Sequence, residues 1–206
     1  TIALALALLR QLPAATESVR KGKWNRYPFL GRELSNSTVL ILGYGRVGRQ
    51  VHQLYEAFGA SVVAHDTVVD KVPNGISVPL IEGLGRADLV SVHVNLTPGS
   101  HSFFGARHLS QMKAGSILFN SSRGEILDQS AVFDSLRTGH LAGAALDVLC
   151  GEPAPLSSEV RMALRELGSR LLITPHISGF TKESLEKVEN FMVQRLIELW
   201  HSDVHD

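Results

Sequence analysis

The chain has 206 residues, 44% of them hydrophobic and 19% charged, which is enough for one sizeable core with some helix to spare. Basic and acidic residues each total 20, so no net field favours nucleic acid or an anionic membrane surface. The single cysteine, Cys150, excludes an internal disulfide and any cysteine-based metal spacing, and fits a reducing cytoplasm.

The opening run Thr1-Ile2-Ala3-Leu4-Ala5-Leu6-Ala7-Leu8-Leu9 is as apolar as the middle of a signal peptide. It lacks a basic leader and is too short to span a bilayer, so it reads as a helix cut at its start. The absence of an initial methionine points the same way, to a piece excised from a longer chain. Residues 1–20 are expected to form one helix, leaving through the basic segment Arg20-Lys21-Gly22-Lys23-Trp24.

From Thr38 onward, short β-branched runs alternate with helical patterns, which predicts an α/β doubly wound parallel sheet covered on both faces. Six strands are expected: Thr38 to Leu42, Ser61 to His65, Leu89 to Val94, Ser116 to Phe119, Ala142 to Asp147 and Leu171 to Thr174. A crossover helix from about Arg46 to Phe58 places Val47, Val51, Leu54 and Phe58 at helical spacing and stops at Gly59. Another starts at an Asp128 cap, runs through Ala131, Val132 and Leu136, and stops at Gly139. Thr181 to Trp200 reads as a long amphipathic helix with Leu185, Val188, Met192, Leu196 and Leu199 on one face. The chain thus reads as an apolar helical stretch over 1–20, an alternating strand and helix region over 21–180, and a closing amphipathic helix within 181–206.

Between the first strand and its helix stands Gly43-Tyr44-Gly45-Arg46-Val47-Gly48. In such a loop the first glycine permits the tight turn, the second lets backbone approach a pyrophosphate, and the third lets helix and strand pack closely. The helix amino end adds its partial positive charge. Asp66 ends the next strand 18 residues after Gly48, where a carboxylate accepts from ribose hydroxyls and repels a 2′-phosphate. Thr67, Val68 and Val69 bring no cation, so NAD is expected over NADP.

The motifs beyond this loop make the sequence resemble the D-isomer-specific 2-hydroxyacid dehydrogenases. They are Val92-His93-Val94-Asn95-Leu96-Thr97, Asn120-Ser121-Ser122-Arg123-Gly124, Ala144-Ala145-Leu146-Asp147-Val148, Gly151-Glu152-Pro153 and Thr174-Pro175-His176-Ile177-Ser178-Gly179. The resemblance covers nearly the whole chain. It implies that Arg123 binds the substrate carboxylate and polarises its carbonyl, that His176 is the general acid/base, and that Glu152 pairs with His176. The chemistry agrees: reducing a 2-oxo acid builds negative charge on the carbonyl oxygen while a proton must arrive, so a guanidinium and a carboxylate-backed imidazolium suffice. The same resemblance assigns the cofactor to Asp147, Ser121 and Ser122, with His93, Asn95 and Thr97 flanking it and Gly179 closing the last motif. The family carries proline where Asn95 stands, which leaves the local backbone path open.

Each assignment has a plainer counterpart. Arg123 can tie down its own loop, His176 can be a satisfied core histidine, Glu152 and Asp66 can be turn acids, and Asp147 can cap a strand. Cys150 reads as a small filler near a loop. The other histidines, His52, His65, His101, His108, His140, His201 and His205, show no ligand spacing, and no metal is expected.

The resemblance also implies a domain reading, with 1–20 as a connecting helix, 21–180 as an NAD-binding Rossmann domain and 181–206 as a return helix, together with a homodimer through the cofactor domain, a small 2-hydroxy or 2-oxo acid substrate, and a substrate domain of which most is missing here. The chain alone is therefore expected to bind NAD(H) and to turn over poorly. Two other readings stand beside the hydroxyacid enzyme: an NADH-sensing, corepressor-like interaction module, and a phosphite dehydrogenase of the same family. Glu152 argues against a formate enzyme, for which the family places glutamine at that position.

Overall fold

The computed structural model describes residues 1–68, 72, 73 and 75–203; the side chains of 199 and 201–203 are not described. Val69, the Leu199 and His201 side chains, and His205 therefore lie outside the described residues. The chain divides into two compact units, Thr1–Thr174 and Pro175–Asp206.

The first unit is built on a six-stranded parallel sheet of β1 (Thr38–Leu42), β2 (Ser61–His65), β3 (Leu89–Val92), β4 (Ser116–Asn120), β5 (Leu141–Leu146) and β6 (Leu171–Ile173). The spatial order is β2-β1-β3-β4-β5-β6, so the winding reverses between β1 and β3. Open α/β sheets bind ligands outside the carboxyl ends of the strands at such a reversal. The strands are buried on both faces, which is why they read as near-continuous apolar runs. Leu40, Leu42, Val90, Leu118 and Ala144 face one core with Phe104, Val132 and Leu136, while Val39, Ile41, Val62 and Phe119 face the other with Val51 and Tyr55.

The helices are α1 (Ile2–Leu9), α2 (Leu12–Arg20), α3 (Arg46–Ala57), α4 (Leu80–Arg86), α5 (Ala106–Leu109), α6 (Gln129–Arg137), α7 (Ser158–Leu167) and α8 (Lys182–Asp203). Helix α6 starts as expected, with Asp128 Oδ1 accepting from the Ala131 amide at 3.1 Å, and Gly139 beyond it has a left-handed φ of 76°. The expected helix over residues 1–20 is instead two, bent by 61° at Arg10 and Gln11, where Gln11 has a left-handed φ of 51° and Pro13 opens α2. Ala5 and Leu9 of α1 are buried in the second core, so this helix is a covered core element. Among the described residues, no single helix is long and apolar enough to cross a membrane.

Helix α3 differs in its buried face. Val51 is buried, but its companions inside are Gly48, His52 and Tyr55, whereas Val47, Leu54 and Phe58 remain 56%, 49% and 48% exposed. Two faces of this helix carry apolar residues at helical spacing. The one that packs is the one whose Gly48 lets it approach β1 closely.

The second unit is a short turn followed by α8. Phe180 donates to the Ile177 carbonyl at 3.0 Å, and Thr181 Oγ1 accepts from the Ser184 amide at 3.1 Å, a side-chain cap for the helix start. Leu185, Val188, Met192 and Leu196 of α8 are exposed, and so are Phe191 and Ile197.

Candidate active site

The loop after β1 shows why its glycines stand where they do. Gly43 has a φ of 92°, and a Cβ there would sit 2.6 Å from the His93 carbonyl oxygen. The turn is therefore pressed against the segment leaving β3. A Cβ on Gly48 would lie 2.1 Å from the Gly43 oxygen, so the first turn of α3 closes directly on the loop. At Gly45 nothing lies within 4 Å, leaving that stretch of backbone open to an approaching group. A closed first and third position with an open second one fits a dinucleotide pyrophosphate lodged at the amino end of α3.

Tyr44, between the first two glycines, is buried, and its amide donates to Asp66 Oδ2 at 2.8 Å. Asp66 Oδ1 accepts from the Val68 amide at 2.9 Å, so both carboxylate oxygens are tied to backbone while the residue stays half-buried at the end of β2. A carboxylate offers about four lone-pair sites, which leaves acceptor capacity for ribose hydroxyls. Arg46 and Val47 begin α3 in exposed positions.

A cleft of about 370 Å³ opens along the strand ends, lined by Val47 from the glycine loop's helix, by His93 and Asn95 after β3, and by Ser121, Ser122 and Arg123 after β4. That volume falls within the range of about 300–1,000 Å³ usual for small-molecule sites. His93 Nε2 is 2.8 Å from Ser91 Oγ. Burial lowers its pKa to about 4, so at neutral pH this wall of the cleft carries an uncharged imidazole. The exposed Asn95–Thr97 segment is folded back by Ser100, whose hydroxyl donates to the Asn95 carbonyl and accepts from the Thr97 amide, both at 2.8 Å.

The turn that carries Arg123 is organised by Asn120, which sequence reasoning did not single out. Its Oδ1 accepts from the Ser122 amide at 3.0 Å and the Ser122 hydroxyl at 2.7 Å, and its Nδ2 donates to the Arg123 carbonyl at 2.8 Å. An asparagine ending a strand just before Ser-Ser is the signal that would have found it, because such side chains bond backbone two residues on. Ser121 Oγ lies 2.8 Å from Thr1 Oγ1. Arg123 is exposed and its Nη1 donates to the Ser122 carbonyl at 2.7 Å, a tie to its own loop that leaves most of the guanidinium's donors over.

Gly124 then brings two loops together. A Cβ there would fall 2.0 Å from the Leu149 carbonyl carbon and 2.4 Å from the Cys150 nitrogen, so the segment after β5 crosses directly over it. That segment carries Glu152, a partly buried acid whose Oε2 accepts from the Leu149 amide at 3.3 Å. Gln129 Oε1 accepts from the Cys150 amide, also at 3.3 Å. Asp147, at the end of β5, is buried and accepts a hydrogen bond from the Thr174 hydroxyl at the end of β6.

His176 and Gly179 belong to the second unit. His176 is exposed and has a left-handed φ of 54°, a conformation that non-glycine residues enter at a cost and that recurs at functional sites. Among the described residues, no group of three or more histidine, cysteine, aspartate or glutamate side chains is placed to hold a metal ion.

The sequence matches the family described as "D-isomer specific 2-hydroxyacid dehydrogenase, NAD binding domain" over residues 2–178. It is 37% identical over 195 residues to a D-3-phosphoglycerate dehydrogenase of Escherichia coli (strain K12), an alignment covering 93% of this chain and 47% of that protein. Among solved structures, the D-lactate dehydrogenase of Aquifex aeolicus complexed with NAD and lactic acid superposes with a TM-score of 0.90 at 28% identity, over 99% of this chain and 66% of that one. A glyoxylate reductase of Paecilomyes thermophila gives a TM-score of 0.84 at 29% identity, over 95% of this chain and 58% of that one. The chain thus spans about half the length of the curated relative it matches.

Proposed function

The chain belongs to the D-isomer-specific 2-hydroxyacid dehydrogenase family as its NAD-binding domain, and we propose that it serves reversible hydride transfer between NAD and a small D-2-hydroxy acid. The observation that carries this reading is the meeting of four loops, in two pairs, on one strand-end rim. The glycine turn is pressed on the segment after β3, and the Glu152 segment crosses Gly124 beside Arg123. When bound, NAD accepts or donates hydride; the chain's own groups hold and charge the substrate.

Arg123 supplies the positive charge that binds the substrate carboxylate and stabilises developing charge on the carbonyl oxygen. His176 takes the proton from the hydroxyl in oxidation and returns it in reduction, and the negative charge of Glu152 favours the imidazolium. Ser121, Ser122, His93, Asn95, Thr97, Asp147 and Gly179 are assigned to cofactor contacts alongside Gly43–Gly48 and Asp66. In the full-length protein, His176→Ala should cut turnover at least ~100-fold while leaving NADH affinity within twofold. Unchanged turnover would remove His176 from the mechanism.

The domain reading carries over: 1–20 as the link to a substrate domain, 21–180 as the cofactor domain, and 181–206 as the return helix. This chain alone should bind NADH with little turnover, since family sites of this kind close between domains. The names of its relatives, a phosphoglycerate, a lactate and a glyoxylate enzyme, span acids of different size and charge, so the substrate is assigned here by class. We further propose a homodimer in a reducing cytoplasm. Trp24, Tyr27 and Leu30 are 91%, 81% and 88% exposed within one short segment, an apolar patch that supports self-association, and the lone cysteine supports the compartment. Sedimentation showing a monomer at micromolar concentration would refute the dimer.

A further inference from the structure

Tyr44 is held at every polar atom it has. Its amide donates to Asp66, its carbonyl accepts from Arg49 Nε at 3.3 Å, and the Arg49 guanidinium lies 5.7 Å from its ring centroid. Its hydroxyl lies 2.6 Å from His52 Nδ1, inside the second core. His52 is buried on α3, and Glu56 Oε1, one turn further on, stands 3.0 Å from Nε2 without the alignment of a hydrogen bond. One proton arrangement uses every group: the tyrosine O–H donates to Nδ1, and the Nε2–H faces the glutamate. Burial keeps the Tyr44 phenol above its ordinary pKa against the pull of Arg49, so the O–H donor persists at neutral pH.

A polar side chain is an expensive tenant on the packed face of a helix. His52 stands where a small aliphatic residue would pack without desolvation, and it is aimed at the one residue that sits inside the glycine turn. Because Tyr44 also carries the bond to Asp66, any slack at its hydroxyl is transmitted to the turn between Gly43 and Gly45 and to the acid at the end of β2. Such preorganisation lowers the ordering cost of binding.

We propose that His52, backed by Glu56, is a positioning residue for the dinucleotide loop: it holds the Tyr44 hydroxyl and so sets the loop in its binding shape before cofactor arrives. The inference rests on the reading of this loop as the NAD site.

The test is fluorescence titration of NADH and calorimetric titration of ADP-ribose on the full chain and on Tyr44→Phe, His52→Leu and His52→Asn, with thermal melts of each. Tyr44→Phe and His52→Leu should each weaken NADH and ADP-ribose by about three- to tenfold, in parallel, and the double variant should be no worse than either single one, the sign of a shared contact. His52→Asn, whose amide oxygen replaces the Nδ1 acceptor, should recover most of the affinity. Variants that melt earlier but bind both ligands as tightly as the unmodified chain would reduce His52 to a packing role and overturn the proposal. An unmodified chain that binds neither ligand would instead bring down the NAD reading itself, so the two failures are distinguishable. If His52→Leu fails to fold, Tyr44→Phe decides the matter, since it removes the hydroxyl and keeps the ring that packs.

Discussion

At the Gly43–Asp66 end of the rim the polar groups are bonded within the first unit, with both oxygens of Asp66 and the Tyr44 amide, carbonyl and hydroxyl engaged. At the Asn120–Glu152 end the arrangement is held from behind, by Asn120, Ser100 and Gln129 acting on backbone, while Arg123 is exposed and, among the described residues, bonded to its own loop. The first end is set for binding before any ligand arrives. The second keeps its charged group at the surface, where the proposed function has a substrate carboxylate meet it. Affinity for cofactor and capacity for chemistry should therefore respond to different substitutions.

The sharpest way to break this contrast is through the glycines. Gly124→Ala puts a methyl group into the Leu149 carbonyl and Gly48→Ala puts one into the Gly43 oxygen, and neither backbone can step aside cheaply. Each should cost about 3 kcal/mol or more of stability in denaturant unfolding. Gly45→Ala meets nothing within 4 Å, so its unfolding curve should overlay that of the unmodified chain while its NADH affinity falls about tenfold or more. Equal melting of all three would contradict the division of labour among them.

A smaller effect is expected from acid. His93 has a folded pKa lowered to about 4, so as pH falls from the ordinary histidine value of about 6.5 the unfolded chain takes up a proton that the folded one refuses. Stability should decline across that window by an amount on the order of 2 kcal/mol, and His93→Gln should flatten the decline. Asp88 adds a later loss. Burial alone would raise its pKa, but Lys113, the Thr38 amide and Arg32 outweigh burial and lower it. Its stabilisation is present above the ordinary carboxylate range and disappears as pH falls through the depressed value. Denaturant midpoints that hold steady between pH 7 and 4.5 would remove His93 from this account.

The smallest effect belongs to the loop after β3. Ser100→Ala removes the hydroxyl that folds Asn95 toward Thr97 and should cost about 1 kcal/mol, with NADH affinity changed less than by Gly45→Ala. A larger loss of affinity than at Gly45 would reverse the ranking of the two ends.

The sheet was legible because parallel strands buried on both faces leave apolar runs: β1 and β2 match their expected bounds, β3, β4 and β6 differ by one or two residues at one end, and β5 is shifted by one residue at both. Helix α3 was legible as an element but not in its orientation, since Gly48 and His52 look unlike a packing face and only the close approach to Gly43 makes them one. The bend between α1 and α2 was hidden for a similar reason, because Gln11 takes a left-handed conformation that its identity does not announce. Helices α4, α5 and α7 were not foreseen; α4 and α5 are short, and α4 carries glycines inside it. In the candidate site, Arg123 and Asp66 could be named from motif position, while Asn120 and His52 act through bonds to neighbours that appear only once the chain is folded.

The most direct measurement is calorimetric titration of this chain with NADH and with NADPH, each repeated on Asp66→Ala. The account predicts saturable NADH binding, NADPH weaker by tenfold or more, and a narrowed gap between the two when Asp66 is removed. A chain that binds neither nucleotide, or that binds NADPH as tightly as NADH, would contradict it.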